Sequence, residues 1–186
     1  MKMKNKLILT ENRIFYCLKH LKKLNKQTND YLIEKGHDLI EIQQQIGLIG
    51  SKFFSSFCQS PIELYDKITD RVPSKIIHQE NGNVTYCYTF EENIGFDSII
   101  AISELNSKER NSIVLENRNQ YEVKVIRKNK RNGTKKLNVV FQKNSNEIIT
   151  MFPGIYAPPL PAAWMNKEEL LIANEFWEKH VFIVFR

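Results

Sequence analysis

Lys75-Ile-Ile-His-Gln-Glu-Asn-Gly-Asn-Val-Thr-Tyr-Cys-Tyr-Thr-Phe90 is where the chain changes character. Apolar and polar residues alternate there with a period of two, and β-branched and aromatic residues dominate. Between the two alternating runs sits Asn81-Gly82, the preferred chemistry for a tight hairpin turn because both central residues need positive φ. The stretch therefore predicts a hairpin pairing Lys75–His78 with Val84–Phe90. It also predicts a switch from helix to sheet at about residue 74.

Toward the N-terminus the period is helical. From Thr10, placed to cap a helix, Ile14, Leu18, Leu21 and Leu24 recur at spacings of three and four and form one apolar face. After Gly36 a second helical pattern runs through Leu39, Ile42, Ile46 and Ile49, and Phe53, Phe54 and Phe57 add apolar bulk. Ser60-Pro61-Ile62-Glu63 combines an N-cap Ser, Pro at the first helical position and Glu at the third, the pattern of a capping box. A helix from Pro61 to about Arg71 follows, with Pro73 beyond its end.

Toward the C-terminus further strands are expected at Ser98–Ser103, Ser112–Leu115, Tyr121–Arg127, Lys136–Phe141 and Glu147–Phe152. Turns fall at Lys130–Gly133 and Lys143–Asn146. Short consecutive strands imply antiparallel pairing rather than crossover connections. Ala157–Ala162, with three prolines, should lie extended across a face; a helix then opens at Asn166 or Lys167 with Leu170, Leu171, Asn174 and Trp177 near one side, and Val181–Phe185 closes the sheet. The expected fold is α+β: N-terminal helices packed on a twisted antiparallel sheet, with a helical region 1–73 and a nuclease-like sheet region 74–186 forming one continuous domain.

At 186 residues and 42% hydrophobic, the chain can bury a real core. The net charge of +6 is unevenly spread: by counting Lys and Arg against Asp and Glu, residues 1–27 carry 8 − 1 = +7, 28–102 carry 5 − 11 = −6, 103–146 carry 11 − 4 = +7, and 147–186 carry 3 − 5 = −2. Two basic blocks flank an acidic one, which favours a polyanionic partner without requiring it. Cys17, Cys58 and Cys87 lie far apart with no Cys-x-x-Cys pair, arguing against zinc and a disulfide framework and for a reducing, cytoplasmic location. No membrane span and no cofactor motif are evident: neither Gly-x-x-x-x-Gly-Lys nor Gly-x-Ser-x-Gly nor His-x-x-x-His occurs.

His180 follows Phe176-Trp-Glu-Lys and precedes an apolar strand, so its imidazole is expected at a helix-to-strand junction, where it could exchange protons near neutral pH; as an isolated feature it is more often a cap or surface residue. His78 ends the first hairpin strand. Thr150 alternates with Ile148 and Phe152 on one side of its strand, and if buried its hydroxyl needs a partner, which a phosphate oxygen would satisfy. Arg118, Arg127, Lys128, Lys130, Arg131 and Lys135 gather positive charge around one hairpin, either for RNA or as a charged edge that blocks aggregation.

The order of these features resembles small bacterial and phage ribonuclease-type toxins, in the superfamily containing barnase, EndoU, colicin ribonucleases and RelE. The likeness rests on a helical region before the sheet, His78, Ile94-Gly95, Arg118, the strand Ile148-Ile-Thr-Met-Phe-Pro-Gly154, and Phe176-Trp-Glu-Lys-His180. It covers residues 74 to 185, and Met151 departs from it where a smaller residue is expected. What the resemblance implies is metal-independent RNA cleavage, the ribose 2′-hydroxyl attacking phosphorus to give a 2′,3′-cyclic phosphate. His78 and His180 would share acid and base work, Arg118 would stabilise phosphate charge, Thr150 would donate to a phosphate oxygen, and Tyr156 would stack a base or orient phosphate. The substrate would be tRNA or mRNA, and the partner an antitoxin or immunity protein of a toxin–antitoxin or phage-defence system. Two rivals stand beside this: a non-catalytic RNA- or protein-binding module on the same surface, and a structural protein that docks through the acidic 28–102 region. Convergence of His180, Thr150, Arg118 and His78 on one cleft favours the first over the others, and their scatter counts against it.

Overall fold

The computed structural model of the chain describes residues 7–47, 50–118, 120–130 and 132–185. Ile49 and Arg131, both assigned roles above, lie outside them. The chain forms two compact units, Met1–Phe96 with Gly133–Gly154, and Asp97–Asn132 with Ile155–Arg186. The expected boundary at 73/74 thus falls inside the first unit, because its helices and its sheet share one core.

In the first unit the helices are α1 (Glu11–Cys17), α2 (Lys26–Glu34), α3 (Leu39–Gln45) and α4 (Pro61–Ile68). The helix expected from Thr10 through Leu24 stops at Cys17, and α2, which was not expected, begins beyond it. After α1 a 3-10 turn spans Leu18–His20, the backbone turns extended at Leu21, and Asn25 caps α2 by accepting from the Thr28 amide. The apolar face nonetheless survives the break, since Ile14, Leu18 and Leu21 are all buried. The α4 start also differs in detail. The Ser60 hydroxyl accepts from the Ile62 amide as a cap should, but the Glu63 carboxylate accepts from the Gln59 amide and from the Asn25 side-chain amide instead of completing a box. Ser60 further shares a 2.7 Å hydrogen bond with Thr28, tying α4 to α2.

The helices share a hydrophobic cluster with an antiparallel sheet of order β10-β9-β3-β2, made of β2 (Lys75–His78), β3 (Val84–Thr89), β9 (Lys136–Phe141) and β10 (Ile148–Pro153). Register places Val84, Tyr86 and Tyr88 beside Phe141, Val139 and Leu137, and all of these but Val84 join the helix side chains. A small second sheet joins β1 (Lys52–Phe53), β4 (Gly95–Phe96) and β8 (Gly133–Thr134). A Cβ at Gly95 would stand 2.4 Å from the Lys52 carbonyl oxygen, so only glycine lets β1 and β4 meet. The Asn81-Gly82 turn is looser than predicted. Only Gly82 has positive φ, +86°, while the Asn81 side chain accepts from the Asn83 amide and Gln79 pairs with Asn83.

The second unit has the sheet order β5-β11-β7-β6: β5 (Ile99–Ala101), β6 (Val114–Arg118), β7 (Tyr121–Lys128) and β11 (His180–Phe185). Here the purely antiparallel expectation is corrected: β11 pairs antiparallel with β5 but parallel with β7, Phe182 beside Val125. The intervening chain, which includes α6 (Lys167–Lys179), supplies the long connection that a parallel pair demands. A 3-10 turn at Ile102–Glu104 and α5 (Ser107–Arg110) lie between β5 and β6, and Ile100, Leu105, Ile126, Val181 and Ile183 form a buried cluster. Helix α6 buries Ala173 rather than the expected leucines; Leu170, Leu171 and Ile172 are exposed. Among the described residues no helix is long and apolar enough to cross a membrane.

Candidate functional site

Asn166 starts α6 with a complete capping box, its side chain accepting from the Glu168 and Glu169 amides while Glu169 accepts from the Asn166 amide. The helix ends at Lys179 and passes with no loop into β11, so His180 stands at the junction in extended conformation, φ −128° and ψ 156°. Its Nδ1 lies 2.7 Å from the Phe176 carbonyl oxygen, and its ring stacks on the Phe176 ring at 3.9 Å and 4°. A carbonyl only accepts, so Nδ1 carries the hydrogen and the neutral imidazole keeps its lone pair on Nε2. Both tautomer and ring plane are thereby set by the last turn of the helix.

The aromatic series continues. Phe176 meets Trp177 edge-on, Trp177 stacks on Phe182 at 4.6 Å, and the Trp177 indole donates to the carbonyls of Pro158 and Pro159, each at 3.2 Å. The proline arm has no regular secondary structure and is held by this indole. On the far side of the ring series the Arg118 guanidinium stands 5.4 Å from the centre of Phe182. Register explains the meeting: Arg118 pairs with Tyr121, Val125 pairs with Phe182, and His180 precedes Phe182 by two, so all share one face of the sheet.

Glu116 lies on that face too, two residues before Arg118, and accepts from both Arg118, at 3.3 Å, and Arg127. Lys128 pairs with Glu109 at 2.9 Å and with the Asn132 side chain at 3.3 Å, and this ammonium holds the Glu109 carboxyl below its ordinary range. Lys130 is exposed and makes no ion pair among the described residues; with Lys108, Arg127 and Lys128 it lines a cleft of about 500 Å³. The basic hairpin is therefore largely met by its own carboxylates. Glu116 and Phe182 were not singled out from sequence. The alternation Val114–Arg118 places Glu116 beside Arg118, whereas the approach of Arg127 and Phe182 depends on strand pairing distant in sequence.

The remaining expected residues belong to the first unit or to the proline arm. His78 is the exposed last residue of β2, and Lys135 is exposed between β8 and β9. Tyr156 is half-buried in the irregular segment after Gly154. Thr150 is not on the side of Ile148 as alternation predicted. A register shift between Ile148 and Thr150 puts Ile148 with Met151 in the core, opposite Phe141 and Val139, and Thr150 opposite Val140. Its Oγ1 is closed to solvent and has no hydrogen-bond partner among the described residues, with the buried Cys17 thiol nearby. Burial pushes that thiol up to about 11. His20 is buried as well, its Nδ1 donating to the Ser51 carbonyl at 3.1 Å, and burial pulls it down to about 4.

Of the four residues expected to converge, one unit thus unites His180 with Arg118, while His78 and Thr150 lie in the other. Among the described residues no three His, Cys, Asp or Glu side chains gather as a metal-ligand set. Comparison with protein-family models, curated proteins and solved structures finds no match to this chain.

Proposed function

We propose that the protein is a metal-independent endoribonuclease with a smaller reaction centre than the four residues expected, one that uses neither His78 nor Thr150 and lies on the sheet face bearing His180 and Arg118. The observation carrying this reading is the 2.7 Å hydrogen bond from His180 Nδ1 to the Phe176 carbonyl, which leaves Nε2 as an oriented base. Nε2 takes the proton of a ribose 2′-hydroxyl, a bond forms from O2′ to phosphorus, and the bond to O5′ breaks. O5′ leaves with a proton from a second acid or from water, and the products are a 2′,3′-cyclic phosphate and a 5′-hydroxyl. Arg118 and Arg127, now bridged by Glu116, supply positive charge to the phosphorane when the carboxylate yields to it. DNA lacks the attacking hydroxyl, so RNA, tRNA or mRNA, is the substrate. In this reading the protein acts in the cytoplasm as a toxin, in a toxin–antitoxin or phage-defence setting, and a partner protein neutralises it.

The test is incubation of the purified protein with total tRNA in EDTA, followed by mapping of the termini. Cyclic phosphate ends that vanish with His180→Ala, together with relief of growth arrest by the same substitution, support the reading. Intact RNA, or ends lacking cyclic phosphate, overturns it. A second reading, RNA binding without cleavage, is favoured by one observation: among the described residues this sheet face offers a single imidazole. It predicts that His180→Ala leaves cellular activity intact while charge reversal at Arg127 and Lys130 abolishes it.

A further inference from the structure

The first unit has a cleft of its own, about 600 Å³, at the end of the sheet where the β2–β3 and β9–β10 turns meet. Its volume is within the ~300–1,000 Å³ of small-ligand sites. By register His78, Val84, Tyr86 and Phe141 share one face of the sheet, and all four line the cleft. Tyr86 and Phe141 form an aromatic wall, their rings 4.9 Å apart and tilted by 59°. The rim is the loop Gln142–Asn146, with Gln142, Asn144 and Asn146 on the lining.

What distinguishes this cleft is that its backbone is fastened while its side chains are idle. The Gln142 amide donates to the Glu147 carbonyl, the Ser145 amide to the Gln142 carbonyl, and the Ile8 amide to the Asn146 carbonyl. The Lys143 amide donates to the Asn83 side chain, binding the two turns together. Gly82 leaves room for the Lys143 stem, which a Cβ there would meet at 2.5 Å, so a cation belongs to the same rim. Leu7, which also lines the cleft, accepts at its carbonyl from the Tyr65 hydroxyl. Yet the His78 ring, the Tyr86 hydroxyl and the side-chain amides of Gln142, Asn144 and Asn146 have no hydrogen-bond partner among the described residues. A fixed frame presenting an aromatic face and several unspent in-plane donors and acceptors suits a flat heterocycle with polar edges.

We propose that this cleft binds a nucleobase, which stacks on the half-buried Tyr86 ring, backed by the buried Phe141, while the loop amides read its edge. The base belongs either to a free nucleotide or to an unpaired position in single-stranded RNA. The site requires nothing of His180, so it stands or falls separately from the cleavage reading.

The experiment is a chemical-shift titration of the isotopically labelled full-length chain. The probes are the four ribonucleoside 5′-monophosphates, ribose 5-phosphate, a short single-stranded oligoribonucleotide and its duplex. Saturable shifts at His78, Tyr86 and Gln142–Asn146 with the nucleotides, and none there with ribose 5-phosphate, are the expected result. Stronger binding of the single strand than of the monophosphates, and none of the duplex, assigns the base to RNA; equal binding assigns it to free nucleotide. Tyr86→Leu weakens binding about tenfold, the loss of one base stack. Should that variant unfold, Gln142→Ala with Asn144→Gly serves instead. Both positions are exposed, and glycine tolerates the φ of +53° at residue 144. The shifts at His78, Tyr86 and Gln142–Asn146 must persist in His180→Ala, whatever happens to shifts in the unit that holds residue 180. Shifts at these cleft residues that are equal for ribose 5-phosphate and nucleotides, or no saturable shift at them with any probe, overturns the proposal.

Discussion

His20 offers a quantitative check on the first unit. It is 5% exposed, lies 5.7 Å from the Phe152 ring between centroids, and donates from Nδ1 to the Ser51 carbonyl. Burial lowers its pKa from 6.5 to about 4; the neighbouring Lys19 charge acts in the same direction and the Ser51 carbonyl bond opposes both. The folded state therefore holds the ring neutral, and unfolding lets it take a proton. Above pH 6.5 neither state binds that proton and His20 costs nothing. As pH falls from 6.5 toward 4 the unfolded state binds more, so stability drops, and at 1.36 kcal/mol per pH unit the full loss is about 3 kcal/mol. That is a large share of the ~5–15 kcal/mol that holds a typical domain together. Urea unfolding of the parent and of His20→Gln between about pH 7.5 and about pH 4.5 isolates the effect, because the carboxylates titrate in both proteins. Circular dichroism with amide exchange at Ile14, Leu18 and Leu32 reports the right unit, since both tryptophans lie in the other. The parent's stability advantage over His20→Gln should shrink by about 2–3 kcal/mol toward acid. A difference constant within ~0.5 kcal/mol over that range refutes the buried, neutral assignment.

Two further substitutions probe the frames of the two sites. Gly95→Ala, whose Cβ would stand 2.4 Å from the Lys52 carbonyl oxygen, should part β1 from β4 and cost about 1–3 kcal/mol or more; an unchanged denaturation midpoint would contradict the close approach. Asn166→Ala removes the cap that receives the Glu168 and Glu169 amides, which should cost about 1 kcal/mol and speed amide exchange through the first turn of α6; unaltered exchange there would mean that the cap does not hold the helix.

Local chemistry was legible wherever its cause is local. The period of two after residue 74 yields β2, β3, β9 and β10 close to their observed ends, since alternation alone decides which residues a strand can bury. Ser60-Pro61 starts α4, and Asn166 starts α6, because a cap answers the amides of the very next residues. His180 stands at the helix-to-strand junction that Phe176-Trp-Glu-Lys-His180 implied. Less was legible where a partner remote in sequence competes. The helix carrying Ile14 stops at Cys17 and a separate helix starts at the Asn25 cap, and Glu63 leaves its own cap for Gln59 and Asn25.

By itself, then, the sequence determined an α+β chain with helices preceding most of the sheet, the bounds of β2, β3, β9 and β10 to within a residue, the starts of α4 and α6, and an imidazole at the start of the last strand. Tertiary structure alone decided which side chains meet. The parallel pairing of β11 with β7 brings Phe182, and so His180, to the face that carries Arg118 and Glu116. The slip between Ile148 and Thr150 turns a hydroxyl expected beside Ile148 to the other side of its strand and against Cys17. Meanwhile His78 lines a cleft with Tyr86, Phe141 and a ring of unused amides. The physical reason is that alternation and capping are settled within a few residues, while strand order and register are settled by the burial of whole faces against partners far along the chain.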